Sequence, residues 1–198
     1  KGTIVRKTVF PANLGELVIS GPHFFVGSLF NKSPRAICTE KGHYDVLDLD
    51  FLPEDYLPRT NYTLACSPDD YEARIVKVPW IENGCVTARR ANEYYRVVIR
   101  AMLPPPNERT LVGALLPPGP AHTNGCRSYV FPDSRLSDLV MLAGQVSALP
   151  FDFLIKSTGR TNLHQMLDDY PLLQYNAALG VRVLCLSCVT RDFANIWE

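Results

Sequence analysis

The sequence predicts a fold of the α+β class, with a mostly antiparallel, twisted sheet, one main packing helix and long proline-rich loops. The first observation is a pair of strand-like runs, residues 94–103 and 110–116, separated by prolines. The second is an apolar stripe at helical spacing along residues 134–149. The third is the presence of 16 prolines among 198 residues, which predicts short elements and many loops.

The two strand-like runs are expected to form a central hairpin. Residues 94–103 are rich in β-branched and aromatic side chains, and residues 110–116 are apolar. The prolines at 104–106 cannot continue a strand interior, because proline lacks the backbone N–H that a ladder requires. Pro117-Pro118-Gly119 ends the second strand in the same way.

Side chains alternate along the first of these strands. Tyr95, Val97 and Ile99 would form one apolar face, and Arg96 and Arg100 would lie on the opposite, outer face. We expect the two guanidinium groups about 6–7 Å apart, close to the spacing of phosphates along one nucleic-acid strand. The alternative is an ordinary solvated strand face, which antiparallel sheets commonly have.

Local signals predict the remaining elements. Ser67 followed by Pro68 and two aspartates is typical of a helix start, with Ser67 as the N-cap. The helix over residues 134–149 would be capped by Asp133 or Ser134 and stopped by Pro150. Other predictions are strands at 44–51, 128–131 and 151–155, a core position for Phe24 and Phe25, and either a strand or a buried helix at 181–189.

Composition limits the class of protein. Apolar residues make up 46% and charged residues 20%, which is typical of a globular protein. The net charge of zero argues against a free-standing, non-specific DNA-binding protein, which would be strongly basic. We see neither an apolar run long enough for a membrane span nor a signal peptide, so we expect a cytoplasmic protein without a membrane partner. The way the chain starts and ends leads us to expect a segment of a longer protein.

Cysteine and histidine spacing does not predict a metal site. Only Cys185 and Cys188, among six cysteines, have ligand spacing, and no second pair accompanies them. They lie in an apolar run, so buried, reduced thiols are expected. A hydrolase using Cys126 and His122 stays open as a minor alternative, although nothing in the sequence would activate the thiolate.

The central stretch resembles the C-terminal specificity domains of Taq-type and type IIG adenine DNA methyltransferases. In those domains an arginine-bearing strand leads into an "ERT" turn and then a strand of the form L-x-x-A-x-x-P-P-G. Residues 151–165, 57–62 and 21–35 are similar to further pieces of such methylases, including those of phage-defence type. The matching residues of the central stretch are Arg96, Arg100, Glu108, Arg109, Thr110, Leu111, Ala114, Pro117, Pro118 and Gly119.

The resemblance implies the recognition half of such an enzyme. The family's Asn-Pro-Pro-aromatic motif and glycine-rich cofactor loop do not occur in this sequence. The catalytic methyltransferase domain would therefore be a separate part of the parent chain, which would bind S-adenosylmethionine and methylate adenine for restriction–modification or phage defence. This fragment would itself be non-catalytic and cofactor-free, with double-stranded DNA and the methyltransferase domain as its partners.

Candidate DNA contacts lie on the arginine-rich stretch and on two polar loops. Asn can pair bidentately with adenine and Arg with guanine, while other basic groups meet phosphates. If strands 110–116 and 151–155 were parallel, the loops that follow them would meet at one rim. The candidates are Arg89, Arg90, Arg96, Arg100, His122, Asn124, Arg127, Lys156, Arg160, Thr161 and Asn162, whereas Glu108, Arg109, Thr110, Pro117 and Pro118 are expected to be structural.

The expected organisation is a single domain over residues 1–198. It leaves room for a small N-terminal lobe, about residues 1–80, beside a hairpin–helix–strand core, about residues 90–198. The alternative function is a non-catalytic protein-interaction module that docks through its apolar C-terminus, residues 181–197.

Overall fold

The computed structural model describes residues 2–40, 42–82, 84–131, 135–164 and 166–198. Short, mostly antiparallel strands and α-helices confirm the predicted α+β class. The strands are β1 Ile4–Val9, β2 Val18–Ile19, β3 Lys32–Pro34, β4 Tyr44–Val46, β5 Thr60–Leu64, β6 Lys77–Glu82, β7 Cys85–Arg90, β8 Arg96–Arg100, β9 Gly113–Leu116, β10 Ala121–His122 and β11 Cys126–Tyr129. The helices are α1 Pro68–Arg74, α2 Leu136–Ser147, α3 Leu149–Ser157, α4 Ala177–Ser187 and α5 Ala194–Trp197.

The predicted central hairpin is confirmed. Strands β8 and β9 pair antiparallel, with Ile99 opposite Gly113, and β11 pairs antiparallel with the other edge of β8. The connection between β8 and β9 contains the three consecutive prolines, which cannot extend the ladder. The remaining strands form two-stranded sheets, of which β2 with β10 is parallel.

One face of the central sheet packs on α2. A Cβ built on Gly113 would lie 2.7 Å from Val146 Cγ1 and 2.9 Å from the Val98 carbonyl oxygen, so the helix and both strands meet at this glycine. Helix α4 packs on α2 in turn, and a Cβ on Gly144 would lie 2.8 Å from Val183 Cγ2. The predicted helix over 134–149 is therefore confirmed with slightly shorter bounds; its proposed caps, Asp133 and Ser134, lie outside the described residues.

The opposite face of the sheet is covered by the N-terminal segment. The outward-facing Arg100 donates to the carbonyls of Gly21 and Phe24 in this segment, and the Gly27 N–H donates to the Gly113 carbonyl at 2.9 Å, which extends the β9 edge. Phe24 and Phe30 thereby join the same hydrophobic cluster as the side chains of β8 and β9. Both faces of the central sheet are consequently buried.

This coverage makes the predicted outer arginine face wrong. Arg96 is only 3% exposed, and its Nη2 donates to the Pro120 carbonyl at 2.6 Å. Arg100 is half-buried and donates to the carbonyls of Gly21 at 2.9 Å and Phe24 at 2.5 Å. Four residues of strand span roughly 13 Å, so the predicted 6–7 Å spacing is wrong as well.

Residues 151–155 form a helix, where a strand was predicted. Pro150 lies in the first turn of α3, where a backbone N–H is not needed for helical hydrogen bonding. It therefore follows the end of α2 and also begins α3. Asp152 and Ile155, three residues apart, are buried, while Phe153 and Leu154 are exposed, which is a helical pattern. Helices α2 and α3 are bent by 66° at their junction.

Other local predictions have mixed outcomes. Ser67 caps α1 as expected, accepting from the Asp70 N–H at 3.2 Å. The strand expected at 44–51 stops at Val46, and a 3₁₀ turn follows because the Asp48 carboxylate accepts from the Asp50 N–H at 3.1 Å. The ambiguous C-terminal run is helical, as part of α4, whose first turn Asn176 caps.

A buried carboxylate fixes the second strand of the hairpin to α3. Asp152 Oδ1 accepts from the N–H groups of Thr110 at 2.9 Å and Leu111 at 2.6 Å. Arg109 lies beside the same carboxylate, with its Nε 3.5 Å from Oδ2, and donates from Nη2 to the Ser147 carbonyl. Arg109 and Thr110 thus hold the hairpin against the helices, while Glu108 is exposed.

The described helices are short. No single helix there is long and apolar enough to cross a membrane, and α2 with α3 would pass by length and composition only as a bent pair.

Candidate nucleic-acid interface

The two polar loops predicted from the sequence meet at one short backbone segment. The Ala101 N–H donates to the Gly125 carbonyl at 2.9 Å, and the Leu163 N–H donates to the Ala101 carbonyl at 2.8 Å. The Leu103 N–H donates to the Thr161 carbonyl at 2.9 Å. The loops were predicted to meet because the strands before them would be parallel, and that reason is wrong, since residues 151–155 are helical. Instead, both loops bond to residues 101–103, which follow β8.

These loops present polar groups to solvent. Asn124 and Arg160 are exposed, and within the described ranges neither side chain has a hydrogen bond or an ion pair. Asn162 is half-buried and uses Oδ1 to accept from the His164 N–H at 3.2 Å, which leaves its amide N–H₂ available. The loops therefore offer two amides and a guanidinium, the groups that read base edges and bind phosphates.

A cleft of about 600 Å³ adjoins the loops at Gly125. Phe25, 39% exposed, and Met102, 62% exposed, supply an apolar surface, and Lys32 and Arg100 supply positive charge. The Arg100 guanidinium carbon lies 5.7 Å from the centre of the Phe25 ring, and burial lowers the pKa of this guanidinium. An aromatic ring beside cations is the arrangement on which nucleobases stack.

The cleft residues were not singled out from the sequence. Phe24 and Phe25 were both expected in the core, but only Phe24 is fully buried. Consecutive residues of an extended segment point to opposite sides, so a Phe-Phe pair beside Gly21-Pro22 should have indicated one outward ring. Met102 and Lys32 carry no comparable local signal.

Several predicted contacts lie away from this cleft. Arg90 is engaged with Glu72 and Glu93, and Arg89 is exposed on β7. Lys156 Nζ donates to the Asn107 carbonyl at 2.9 Å, which ties α3 to the hairpin loop. The buried Arg96 lines a separate cavity together with two other candidates, His122 and Arg127.

Among the described residues the thiols do not belong to a metal-binding cluster. All six cysteines are free, and no cluster of three or more His, Cys, Asp or Glu side chains in the described ranges could hold a metal ion. Burial raises the pKa of Cys126 to about 11 and that of Cys188 to about 12. Cys185 is exposed, so the expectation that it is buried is wrong, because α4 turns it outward.

Alkylation with iodoacetamide at pH 8 should separate these thiols. We expect Cys85 and Cys185, which are exposed, to react first, and Cys126 and Cys188, whose pKa values burial raises, to react last. With a pKa of about 11, only about one Cys126 in a thousand is a thiolate at that pH. Mass spectrometry of peptides gives the rates, and unfolded protein is the control in which all six should react similarly. Equal rates for Cys126 and Cys185 in the folded protein would contradict the structure.

Comparison of the chain with protein-family models, curated proteins and solved structures finds no match.

Proposed function

We propose that this chain is a DNA target recognition domain of an adenine-specific DNA methyltransferase. The observation that carries the proposal is the junction of the two polar loops on residues 101–103, beside a cleft with an exposed aromatic ring and two cations. The resemblance of the hairpin to methyltransferase specificity domains supports the same reading. The parent protein would be cytoplasmic and serve restriction–modification or phage defence.

In this proposal the groups of the interface divide their tasks. Arg160 and Lys32 contact phosphates and set the position of the domain on the duplex. Asn124 and Asn162 contact base edges and supply sequence preference. Phe25 and Met102 provide an apolar surface for a base or sugar. A separate domain of the parent would bind S-adenosylmethionine and receive the flipped adenine, because its amino group is inaccessible within the stack.

The zero net charge is compatible with this division of tasks. A recognition domain that works beside a catalytic domain does not need to supply the whole electrostatic attraction to the duplex. Binding by this chain alone should therefore be weak and strongly salt-dependent, and measurements belong at ionic strengths below about 100 mM.

A protein-interaction module is the second candidate. Val181 is 54%, Leu186 71% and Trp197 46% exposed, so the C-terminal part has apolar side chains available to a partner. The two candidates differ in the DNA experiment, since a pure interaction module would not select a sequence from random duplexes.

Two substitutions in the loops should have different effects on DNA binding. Arg160→Ala should weaken binding to all duplexes about equally and reduce the slope of log affinity against log salt by about one, because one fewer counterion is released. Asn124→Ala should cost roughly 1–3 kcal/mol on a duplex selected from a random pool and little on random DNA, because it reads a base edge. Fluorescence anisotropy measures both.

Arg182→Ala is the matched control, since Arg182 is an exposed arginine on α4, away from the loops. Its affinity and salt slope should equal those of the unmodified chain. If selection yields no preferred sequence, or if Arg160→Ala behaves like the control, the loops do not bind DNA and the proposal fails.

A further inference from the structure

A second cavity, of about 390 Å³, lies between α1, the start of β8 and strands β10 and β11. None of the described residues that line it is acidic, and three of them are arginines. Burial lowers the pKa of the fourth basic residue, His122, so its imidazole is neutral at pH 7. The polar side chains that carry the argument are Tyr71, Arg74, Asn92, Arg96, His122 and Arg127. The cavity therefore has a positive lining, with no acidic residue among its described wall residues.

Arg96 is the central group of this cavity. It is almost fully buried, and within the described residues its guanidinium makes one hydrogen bond, from Nη2 to the Pro120 carbonyl. Its Nε has no partner within the described residues. Burial lowers the pKa of this guanidinium to about 10, so it still carries its charge at neutral pH. A buried charge without a pair or full hydrogen bonding is costly, and an anion in the cavity would offset that cost.

Asn92 contributes a second unsatisfied group. Its side-chain Oδ1 is buried without a donor among the described residues, while its backbone carbonyl accepts from the Gly119 N–H at 2.8 Å. A buried acceptor without a partner costs about 1–3 kcal/mol. A ligand with a hydroxyl or amino group would supply the missing donor.

Two further cations lie around Arg96. Arg127 is exposed and has no hydrogen bond or ion pair with any described residue, so it is available to an entering anion. Arg74 donates to Thr3 Oγ1 at 3.3 Å and keeps other donors available. Ile75, Val78 and Val130 supply apolar wall, which favours an organic ligand over a bare inorganic ion.

We propose that this cavity binds a small organic anion, whose carboxylate or phosphate pairs with Arg96 and Arg127. A hydroxyl or amino group of the ligand donates to Asn92 Oδ1, and its apolar body lies against the valine and isoleucine wall. This site is distinct from the cleft beside Phe25 and does not depend on DNA recognition.

Isothermal titration of the chain with three probes tests this site. Adenosine 5′-monophosphate offers a phosphate with hydroxyls, mandelate offers a carboxylate with a hydroxyl and a ring, and inorganic phosphate lacks an apolar body. We expect one-to-one binding of at least one organic probe, about tenfold or more tighter than inorganic phosphate. Tighter binding of adenosine 5′-monophosphate would show that the site prefers a phosphate, and tighter binding of mandelate would show that it prefers a carboxylate. Absence of binding by both organic probes at about 10 mM, or equally tight binding of inorganic phosphate, would overturn the proposal.

Arg127→Ala locates the binding without disturbing the buried Arg96. It should weaken the organic probe about tenfold, because a charge-assisted hydrogen bond is lost, whereas Arg182→Ala should leave affinity unchanged. Phenylglyoxal labelling supplies a second measurement, in which the bound probe should protect Arg127 and Arg74 from modification. Unchanged affinity in Arg127→Ala, or labelling without protection, would place the binding elsewhere and overturn the assignment.

Discussion

Asp152→Ala is expected to lower the free energy of unfolding by about 3–5 kcal/mol, as measured by urea denaturation. The carboxylate accepts two buried backbone N–H groups, from Thr110 and Leu111, and lies beside the nearly buried Arg109. Removing it leaves both N–H groups without their acceptor and Arg109 without its ion-pair partner, at the point where α3 meets the hairpin. Small domains are stable by about 5–15 kcal/mol, so this change should remove a large share.

Asp152→Asn separates the hydrogen bonds from the charge. Its side-chain oxygen can still accept from both backbone N–H groups, so we expect a smaller loss, about 1–2 kcal/mol. A double substitution with Arg109→Ala should be less than additive, since the two side chains interact. If the Asp152→Ala variant were as stable as the unmodified chain, the carboxylate would not hold the hairpin.

Gly113→Ala should destabilise the fold by about 1–3 kcal/mol through overpacking. The added Cβ would lie 2.7 Å from Val146 Cγ1, 2.9 Å from the Val98 carbonyl oxygen and 3.0 Å from Ile99 Cγ1. One of these neighbours is backbone and the other two are stiff, β-branched side chains, so the space can open only if α2 moves away from the sheet.

Gly42→Ala is the matched control for this prediction, because a Cβ there meets nothing within 4 Å. It should leave stability unchanged or raise it by up to about 1 kcal/mol, since alanine reduces the conformational freedom of the unfolded chain. The denaturation midpoint of Gly113→Ala should therefore fall, whereas that of Gly42→Ala should stay the same or rise. A Gly113→Ala variant that matches Gly42→Ala would contradict the close packing of α2 on β9.

The sequence predicted those elements whose formation depends on interactions between neighbouring residues. The β8–β9 hairpin follows from its β-branched runs and proline boundaries, and the start of α1 follows from Ser67 and Pro68. The apolar stripe of α2 has the helical period regardless of its partners. These features need only a few neighbouring residues, and each was predicted with bounds close to those observed.

Burial that depends on distant residues was not predictable in the same way. Arg96 and Arg100 have the alternation of an outer strand face, but the segment that covers them comes from Gly21 and Phe24 and from Pro120. Residues 151–155 were wrongly predicted as a strand because their aromatic side chains favour strands. Pro150 in the first turn and the buried Asp152 are features of the helix that forms instead.

The candidate interface was predicted in part. Asn124, Arg160, Thr161 and Asn162 follow from the polar composition of their loops, and the structure joins these loops on one segment. Phe25 and Met102 became available only through tertiary packing, since their exposure depends on how the N-terminal segment crosses the sheet.

The pairing of β2 with β10 also has a consequence for the order in which the chain folds during synthesis. Val18 and Ile19 leave the ribosome roughly 100 residues before Ala121 and His122, their only strand partners in the described chain. At synthesis rates of about 5–20 residues per second, the apolar N-terminal segment waits about 5–20 s without a place to bury Phe24 and Phe30. Nascent chains stalled before residue 113 should therefore be sensitive to protease and to aggregation, and release of the following strands should end that vulnerability.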